Sequence, residues 1–234
     1  PTDVDSCVTV KVAGVYVPNN HPQFTGWNDY RDCTYGIQGK LVDAKVVGQN
    51  FAYCDYGVAP INTTNYPGRV QFNGCSFAFC AVDGLIIGPQ CVVSGCLIIP
   101  PASGGVSGIR LIGGNSTIEG CVFDSDGGVW SEGCISMDPD YRATAVNGTV
   151  IAGNSFRVES TTVIYHKAAA SGRDIGSLTC SNNAIYDCGS LVRRSGNSFG
   201  TMAYSTFNGN TFRYEGSTLT STLTGTITFT NGSA

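Results

Sequence analysis

The segments IAGNSF at residues 151–156 and FNGNTF at residues 207–212 follow one pattern, in which an apolar residue precedes a Gly-Asn turn and Phe closes the motif. Five looser copies have Gly or Asn at the turn and Cys, Asn or Gln after it: VVGQNF, FNGCSF, VSGCLI, IEGCVF and CSNNAI. The turn position falls at residues 48, 74, 95, 120, 153, 182 and 209. A turn motif that repeats about every 25 residues is typical of a solenoid, whose stacked coils bury a shared core.

A second motif lies half a repeat away, where a Gly precedes alternating apolar residues in YGVA, DGLII, SGIRLI, EGCISM and CGSLV. TTVIY at residues 161–165 occupies the same place without its Gly. Short runs of period two between turn residues indicate strands, so each coil has at least two. We therefore predict an all-β fold, a right-handed parallel β-helix that is a single-stranded solenoid of about eight coils.

Two other β-architectures fit the sequence pattern less well. An antiparallel β-sandwich also has short alternating strands, but not one turn motif at a steady step. A left-handed β-helix would show a hexapeptide period, which is absent. Residues 1–35 are predicted to be an N-terminal cap or a joint to a preceding domain, residues 36–215 the parallel β-helix, and residues 216–234 the closing strands, where Thr alternates with apolar residues.

The position after each turn defines a column whose members would stack about 4.8 Å apart. Stacked Asn side chains hydrogen-bond along such a ladder, and Cys fills it as a small hydrophobe. The column contains Gln49, Cys75, Cys96, Cys121, Asn154, Asn183 and Asn210. A second column contains Cys54, Cys80 and Cys188.

Eleven cysteines is an odd number, the chain has no C-x-x-C spacing, and only two histidines are present. We therefore expect no metal site and no cofactor. Because the cysteines are in register with the repeat, we expect reduced, stacked thiols without disulfides, and hence folding in a reducing cytosol.

The charge pattern excludes several partners. The net charge is −4, only 13% of residues are charged, and the longest basic run is Arg193-Arg194, which argues against a nucleic-acid partner. No apolar stretch approaches the ~18 residues of a membrane span, so membrane insertion is not expected. Neutral sugars suit such a surface best. Because the chain begins at Pro1, we expect a processed chain or a fragment.

The x-G-[CN]-x-F turns, low charge, in-register cysteines and abundance of Ser, Thr, Gly and Asn resemble the pectin-lyase-like β-helix superfamily, and within it the receptor-binding tailspikes of bacteriophages. The resemblance covers roughly residues 40–215 as a pattern of fold. It implies a homotrimer that binds or cleaves a bacterial surface polysaccharide, located in the virion as a tail appendage after folding in the bacterial cytoplasm. The paired-Asp and Gly-His-Gly motifs of polygalacturonases are absent.

The longest step between turns, from Gly120 to Gly153, predicts an inserted loop that borders a surface groove. Glycoside hydrolysis requires two carboxylates at defined spacing, and sugars stack on aromatic rings. The loop supplies the carboxylates Asp124, Asp126, Glu132, Asp138 and Asp140 and the aromatic residues Trp130 and Tyr141. The alternative is a solvated acidic loop whose Asp residues cap turns.

Aligning the Gly-led strands predicts that Asp138, His166 and Arg194 form one outward column on successive coils. A carboxylate beside an imidazole forms an acid–base pair, and Arg194 would clamp an acidic sugar. The alternative for His166 is a solvated surface side chain. Asp138 is the first choice for general acid or base, with Asp126 or Glu132 as its partner, while Trp130, Tyr141 and Asp140 would bind substrate.

The first functional hypothesis from these residues is that the protein is a polysaccharide depolymerase, which would be either a glycoside hydrolase or a lyase. The second is the same solenoid adhering to glycan without cleaving it. The third is a purely structural segment of a viral appendage.

Overall fold

A computed structural model describes residues 13–17, 22–125, 127–142, 145–167, 176–194, 205–213 and 227–229. It is an all-β parallel solenoid, as predicted, and the described residues contain no helix. The right-handed winding and the number of coils remain predictions.

Three sheets run along the solenoid, and the chain visits them in turn. The first sheet contains β1 (Ala13–Val17), β4 (Tyr35–Gly39), β7 (Tyr56–Ala59), β10 (Asp83–Ile87), β13 (Gly105–Leu111), β16 (Trp130–Met137), β19 (Thr162–His166) and β22 (Ser190–Arg194). The second contains β2 (Gln23–Phe24), β5 (Lys45–Val47), β8 (Gln71–Asn73), β11 (Val92–Ser94), β14 (Thr117–Glu119), β17 (Val150–Ala152), β20 (Thr179–Ser181), β23 (Ser205–Asn208) and β25 (Ile227–Phe229). The third contains β3 (Asp29–Arg31), β6 (Asn50–Ala52), β9 (Ser76–Ala78), β12 (Leu97–Ile99), β15 (Val122–Asp124), β18 (Ser155–Arg157), β21 (Ala184–Tyr186) and β24 (Thr211–Arg213).

Both ends of the solenoid continue the sheets. The strands β1, β2 and β3 pair in parallel with β4, β5 and β6, so the parallel pairing begins ahead of residue 36. The last strand of the second sheet, β25, pairs antiparallel with β23. The boundaries predicted for the cap and the closing strands remain predictions.

The turn motif forms the corner between the second and third sheets, and its stacking is confirmed. All seven turn positions, including Asn182 at φ 54°, have a left-handed backbone. Each of the first six donates its backbone N–H to the carbonyl that precedes the turn of the next coil, as Gly48 does to Asn73 at 3.0 Å. Glycine is favoured there because a Cβ is strained at positive φ.

The column after the turn forms the predicted ladder. Asn154 donates its amide to Asn183 at 3.0 Å, and Asn183 donates to Asn210 at 2.9 Å. Asn183 also donates to the Ile151 carbonyl at 3.0 Å. The thiol of Cys75 donates to the corresponding Val46 carbonyl at 3.4 Å, so Cys substitutes for Asn as a weak donor as well as filling space.

The core lies between the three sheets and consists of stacked identical or similar residues. Tyr30, Phe51 and Phe77 stack with ring centroids 4.9 Å apart along the third sheet. The first sheet makes room for these rings with glycines. A Cβ on Gly84 would lie 2.6 Å from the Gly108 carbonyl oxygen and 3.2 Å from the Phe77 Cβ. Glycine in these strands therefore permits close packing between coils.

The thiols stack without disulfides among the ten described cysteines, and Cys33 joins the predicted column of Cys54 and Cys80. Burial raises the pKa of Cys91 to about 12 and that of the half-buried Cys188 to about 11. Since only the thiolate is nucleophilic, these thiols should react slowly at neutral pH.

We expect a Cys7→Ser variant to react slowly with Ellman's reagent while folded and to expose all its remaining thiols in guanidinium chloride. Cys188 should react first, because it is the least buried of the described thiols and reagent reaches it most easily. Peptide mapping after timed alkylation identifies the site. A disulfide, or rapid reaction at Cys75, Cys96 or Cys121, would contradict the description of the stack.

Candidate functional site

The outer face of the first sheet contains charged residues in strands that are otherwise apolar. In β13, Ile109 and Leu111 point into the core, so Arg110 between them lies on the outer face. The register pairs Ser107 with Asp83 in the preceding coil. Parallel pairing thus brings together residues that are a full coil apart in sequence.

Arg110 is the centre of a charged cluster formed by Asp83, Arg110, Glu132, Asp138 and Lys167. Its Nε and Nη2 lie 3.0 and 3.1 Å from the two oxygens of Asp83, which is a two-point contact. Its Nη1 lies 3.0 Å from Asp138 Oδ2 and 3.3 Å from Glu132 Oε2. The planar guanidinium therefore joins three carboxylates that come from the two coils on either side of its own.

Lys167 closes the cluster on its solvent side. Its Nζ lies 3.1 Å from Asp138 Oδ2 and 3.4 Å from Glu132 Oε1. Ser136 donates its hydroxyl to Glu132 at 2.7 Å, and the backbone N–H of Tyr141 donates to Asp138 at 3.1 Å. These bonds fix both carboxylates.

Arg110 is only 7% exposed. Burial would lower its pKa, but the charges of Asp83, Glu132 and Asp138 outweigh burial and raise the pKa. Arg110 is therefore a permanent cation, and three carboxylates face two cations at this site.

Two adjoining pockets open beside the cluster, and we call them together the tyrosine groove. The first, of about 300 Å³, includes Tyr35, Tyr56, Asp83, Arg110, Asp138, Tyr141 and Lys167 in its lining. The second, of about 470 Å³, is lined by Thr63, Thr64, Tyr66, Asp140, Tyr141 and Arg142. The rings of Tyr35 and Tyr56 stack with centroids 5.2 Å apart, and Tyr141 is common to both pockets.

Four of the predicted site residues come together here. Asp138 is 4% exposed and lines the first pocket, Glu132 is paired to it through Arg110 and Lys167, and Asp140 and Tyr141 line the second pocket. Asp126 lies outside the described residues. The chemical roles predicted for these residues remain predictions.

The predicted column of Asp138, His166 and Arg194 is wrong. His166 pairs with Met137 and is completely buried, and the backbone of Arg194 pairs with His166. Lys167 is the residue that follows Asp138 in the outward column. The alignment slipped by one residue because β19 and β22 each contain two adjacent apolar residues at this place. Ile164 and Val192, the second of each pair, are in register with Ile135, and a slip of one exchanges the two faces.

Trp130 does not offer its ring to a ligand. It is 4% exposed and packs edge-on against Phe123 at 6.2 Å, within the core. A long β16 begins at Trp130 and brings the ring over the third sheet's aromatic stack. The prediction that Trp130 stacks on a sugar is therefore wrong.

Sequence reasoning missed Asp83, Arg110, Lys167, Tyr35 and Tyr56. The available signal was a charge inside an alternating strand: Arg110 interrupts SGIRLI, and Asp83 begins DGLII one coil earlier. In the part of the chain that the structure describes, no group of three His, Cys, Asp or Glu side chains has a geometry suited to a metal ion, and no helix could span a membrane.

Comparison with known proteins does not assign the chain to a family. No family model matches the chain, and no curated protein matches it. A solved structure of QnrB1, a plasmid-mediated fluoroquinolone resistance protein, aligns with 78% of this chain and 93% of its own. The identity is 11% and the TM-score 0.22, so this likeness carries no argument about fold or function.

Proposed function

We propose that this chain is a polysaccharide-recognition solenoid of the tailspike kind, which binds a bacterial surface polysaccharide in the tyrosine groove. The observation that carries the proposal is a pair of open pockets that share Tyr141. The first places three tyrosines beside the charged cluster, and the second adds Tyr66. Ligand sites combine aromatic walls with a few fixed polar groups.

The groove offers two kinds of contact to a sugar. The tyrosine rings present large apolar faces, and their hydroxyls act as hydrogen-bond donors. Burial raises the pKa of Tyr56 and of Tyr141, so both hydroxyls keep their protons at neutral and mildly alkaline pH. Asp138 and Lys167 add fixed charged partners for ring hydroxyls at the edge of the first pocket.

Cleavage is the second candidate, favoured by the proximity of Asp138 and Glu132. Asp138 Oδ2 and Glu132 Oε2 lie 3.0 and 3.3 Å from the same Arg110 nitrogen. Their separation cannot exceed the sum of these distances, which is below the ~6.5 Å at which inverting glycosidases begin. These two facing oxygens are therefore too close together for the inverting arrangement.

The same geometry favours binding over cleavage. Arg110 and Lys167 bridge the two carboxylates, so a scissile bond has no open path between them. The homotrimer and the virion location stay proposals that accompany the tailspike assignment.

The test uses an array of bacterial capsular and O-antigen polysaccharides. We expect the protein to retain at least one, and Tyr56→Ala and Tyr141→Ala each to weaken retention about tenfold or more, as aromatic anchors do when truncated. Tyr53→Ala is the matched control: Tyr53 is 55% exposed and stacks on Phe79 outside the groove.

Binding in the tyrosine groove would be refuted if the protein retained no polysaccharide, or if all three variants lost retention equally. Release of reducing ends or unsaturated sugar from the retained polysaccharide would establish cleavage. In that case Asp138→Asn should lower turnover about 10²-fold or more.

A further inference from the structure

The second pocket contains an arginine held in a fixed orientation without a carboxylate partner among the described residues. The Arg142 guanidinium lies over the Tyr66 ring, with its central carbon 3.6 Å from the ring centroid. Its Nη2 donates to the Tyr66 hydroxyl at 2.6 Å. Stacking and hydrogen bonding together fix the plane of the guanidinium.

Two other arginines that the structure describes are neutralised by carboxylates. Arg110 binds Asp83, and the exposed Arg69 binds Asp43 through two nitrogens at 2.6 and 2.8 Å. Arg142 instead contacts an uncharged ring, and its Nε is a buried donor without a hydrogen-bond partner. The buried Nε is out of a ligand's reach, but among the described residues the one hydrogen bond of the terminal nitrogens of Arg142 is that from Nη2 to Tyr66. A guanidinium with terminal donors to spare, held at a pocket wall, is preorganised for a carboxylate.

We propose that Arg142 on Tyr66 forms a subsite for a carboxylate-bearing sugar, so that the polysaccharide in the groove contains an acidic residue. This inference rests on the proposed function. A pocket of about 470 Å³ accommodates a sugar ring, and the Tyr141 wall leads from it into the first pocket. The threonine hydroxyls of Thr63 and Thr64 border the space that the ring would fill.

The charge of Asp140 sets the strength of the subsite. Its exposed side chain lines the same pocket and repels an anion, although solvent screens this effect. The acidic sugar should therefore bind weakly as a monosaccharide and more strongly when Asp140 is neutralised.

The experiment measures binding of free glucuronate, galacturonate and N-acetylneuraminate by protein NMR titration, each against its neutral parent sugar. We expect at least one acidic sugar to bind with millimolar Kd and its neutral parent about tenfold more weakly. Arg142→Gln should weaken binding of the acidic sugar about tenfold and leave binding of the neutral sugar unchanged. Asp140→Asn should strengthen binding of the acidic sugar. Arg157→Gln, on the third sheet, is the matched control and should change neither.

Equal binding of acidic and neutral sugars, or an unaffected Arg142→Gln variant, would overturn the subsite. Inorganic phosphate binding as tightly as the best acidic sugar would overturn its assignment to a sugar carboxylate. If neutral polysaccharide is retained through Tyr56 while no acidic sugar is preferred, only this inference fails. If neither monosaccharides nor polysaccharides bind, the proposed function fails with it.

Discussion

Replacing Arg110 by Met should lower the free energy of unfolding by about 3–5 kcal/mol, because it leaves a buried carboxylate without its cation. Asp83 is only 1% exposed and receives two hydrogen bonds from Arg110. Asp138 loses one of its two cationic partners at the same time. Urea unfolding followed by circular dichroism measures the change.

Two further variants separate buried charge from simple loss of an ion pair. Arg69→Ala removes the exposed two-point pair with Asp43 and should change stability little, since solvent screens it. The double variant Arg110→Met with Asp83→Asn should cost less than the sum of the two single changes, because no unpaired charge remains between them. Equal effects of Arg110→Met and Arg69→Ala would contradict the description of a buried cluster.

Replacing Asn183 by Ala should cost about 3–5 kcal/mol, because several buried groups lose partners worth about 1–3 kcal/mol each. Asn183 donates to the Ile151 carbonyl and to Asn210, and it accepts from the backbone and side-chain amides of Asn154. The ladder would be interrupted at one coil, and in a solenoid each coil is stabilised mainly by its neighbours. The urea midpoint and the melting temperature report the loss.

The repeat itself supplies the controls. Asn183→Cys should be intermediate in stability, since Cys75 donates its thiol to the carbonyl that corresponds to Ile151. Asn182→Gly should be neutral or stabilising, because the other six turn positions already have Gly at positive φ. If Asn183→Ala is no more harmful than Asn182→Gly, the ladder does not stabilise the solenoid.

The turn column was predictable from sequence because it depends only on local chemistry. Gly48 and its equivalents need a left-handed backbone, and Asn154 and Asn183 need a partner at the same place one coil away. Both requirements recur in each coil, so the same residue types repeat at the same position of the sequence motif. The stacking of Cys75, Cys96 and Cys121 followed from the same register.

The site was less predictable because it depends on register between coils of unequal length. Arg110 meets Asp138 across 28 residues, and the step from Gly120 to Gly153 contains the extra loop that presents Asp138 and Tyr141. In β19 the adjacent Val163 and Ile164 both fit the apolar pattern, and because Ile164 is the residue in register with Ile135, Lys167 rather than His166 follows Asp138 in the outward column. The position of Trp130 was predicted wrongly because the sequence does not distinguish an aromatic residue in a loop from one in the core.

The central claim is that polysaccharide binds on the outer face of the first sheet. It is tested most directly by hydrogen–deuterium exchange of the protein with and without the polysaccharide it retains best. We predict protection in residues 60–66 and 138–142, which border the tyrosine groove, and no change at the turns of Gly74 and Gly95 between the other two sheets. Protection confined to the second or third sheet, with the groove unchanged, would contradict the account.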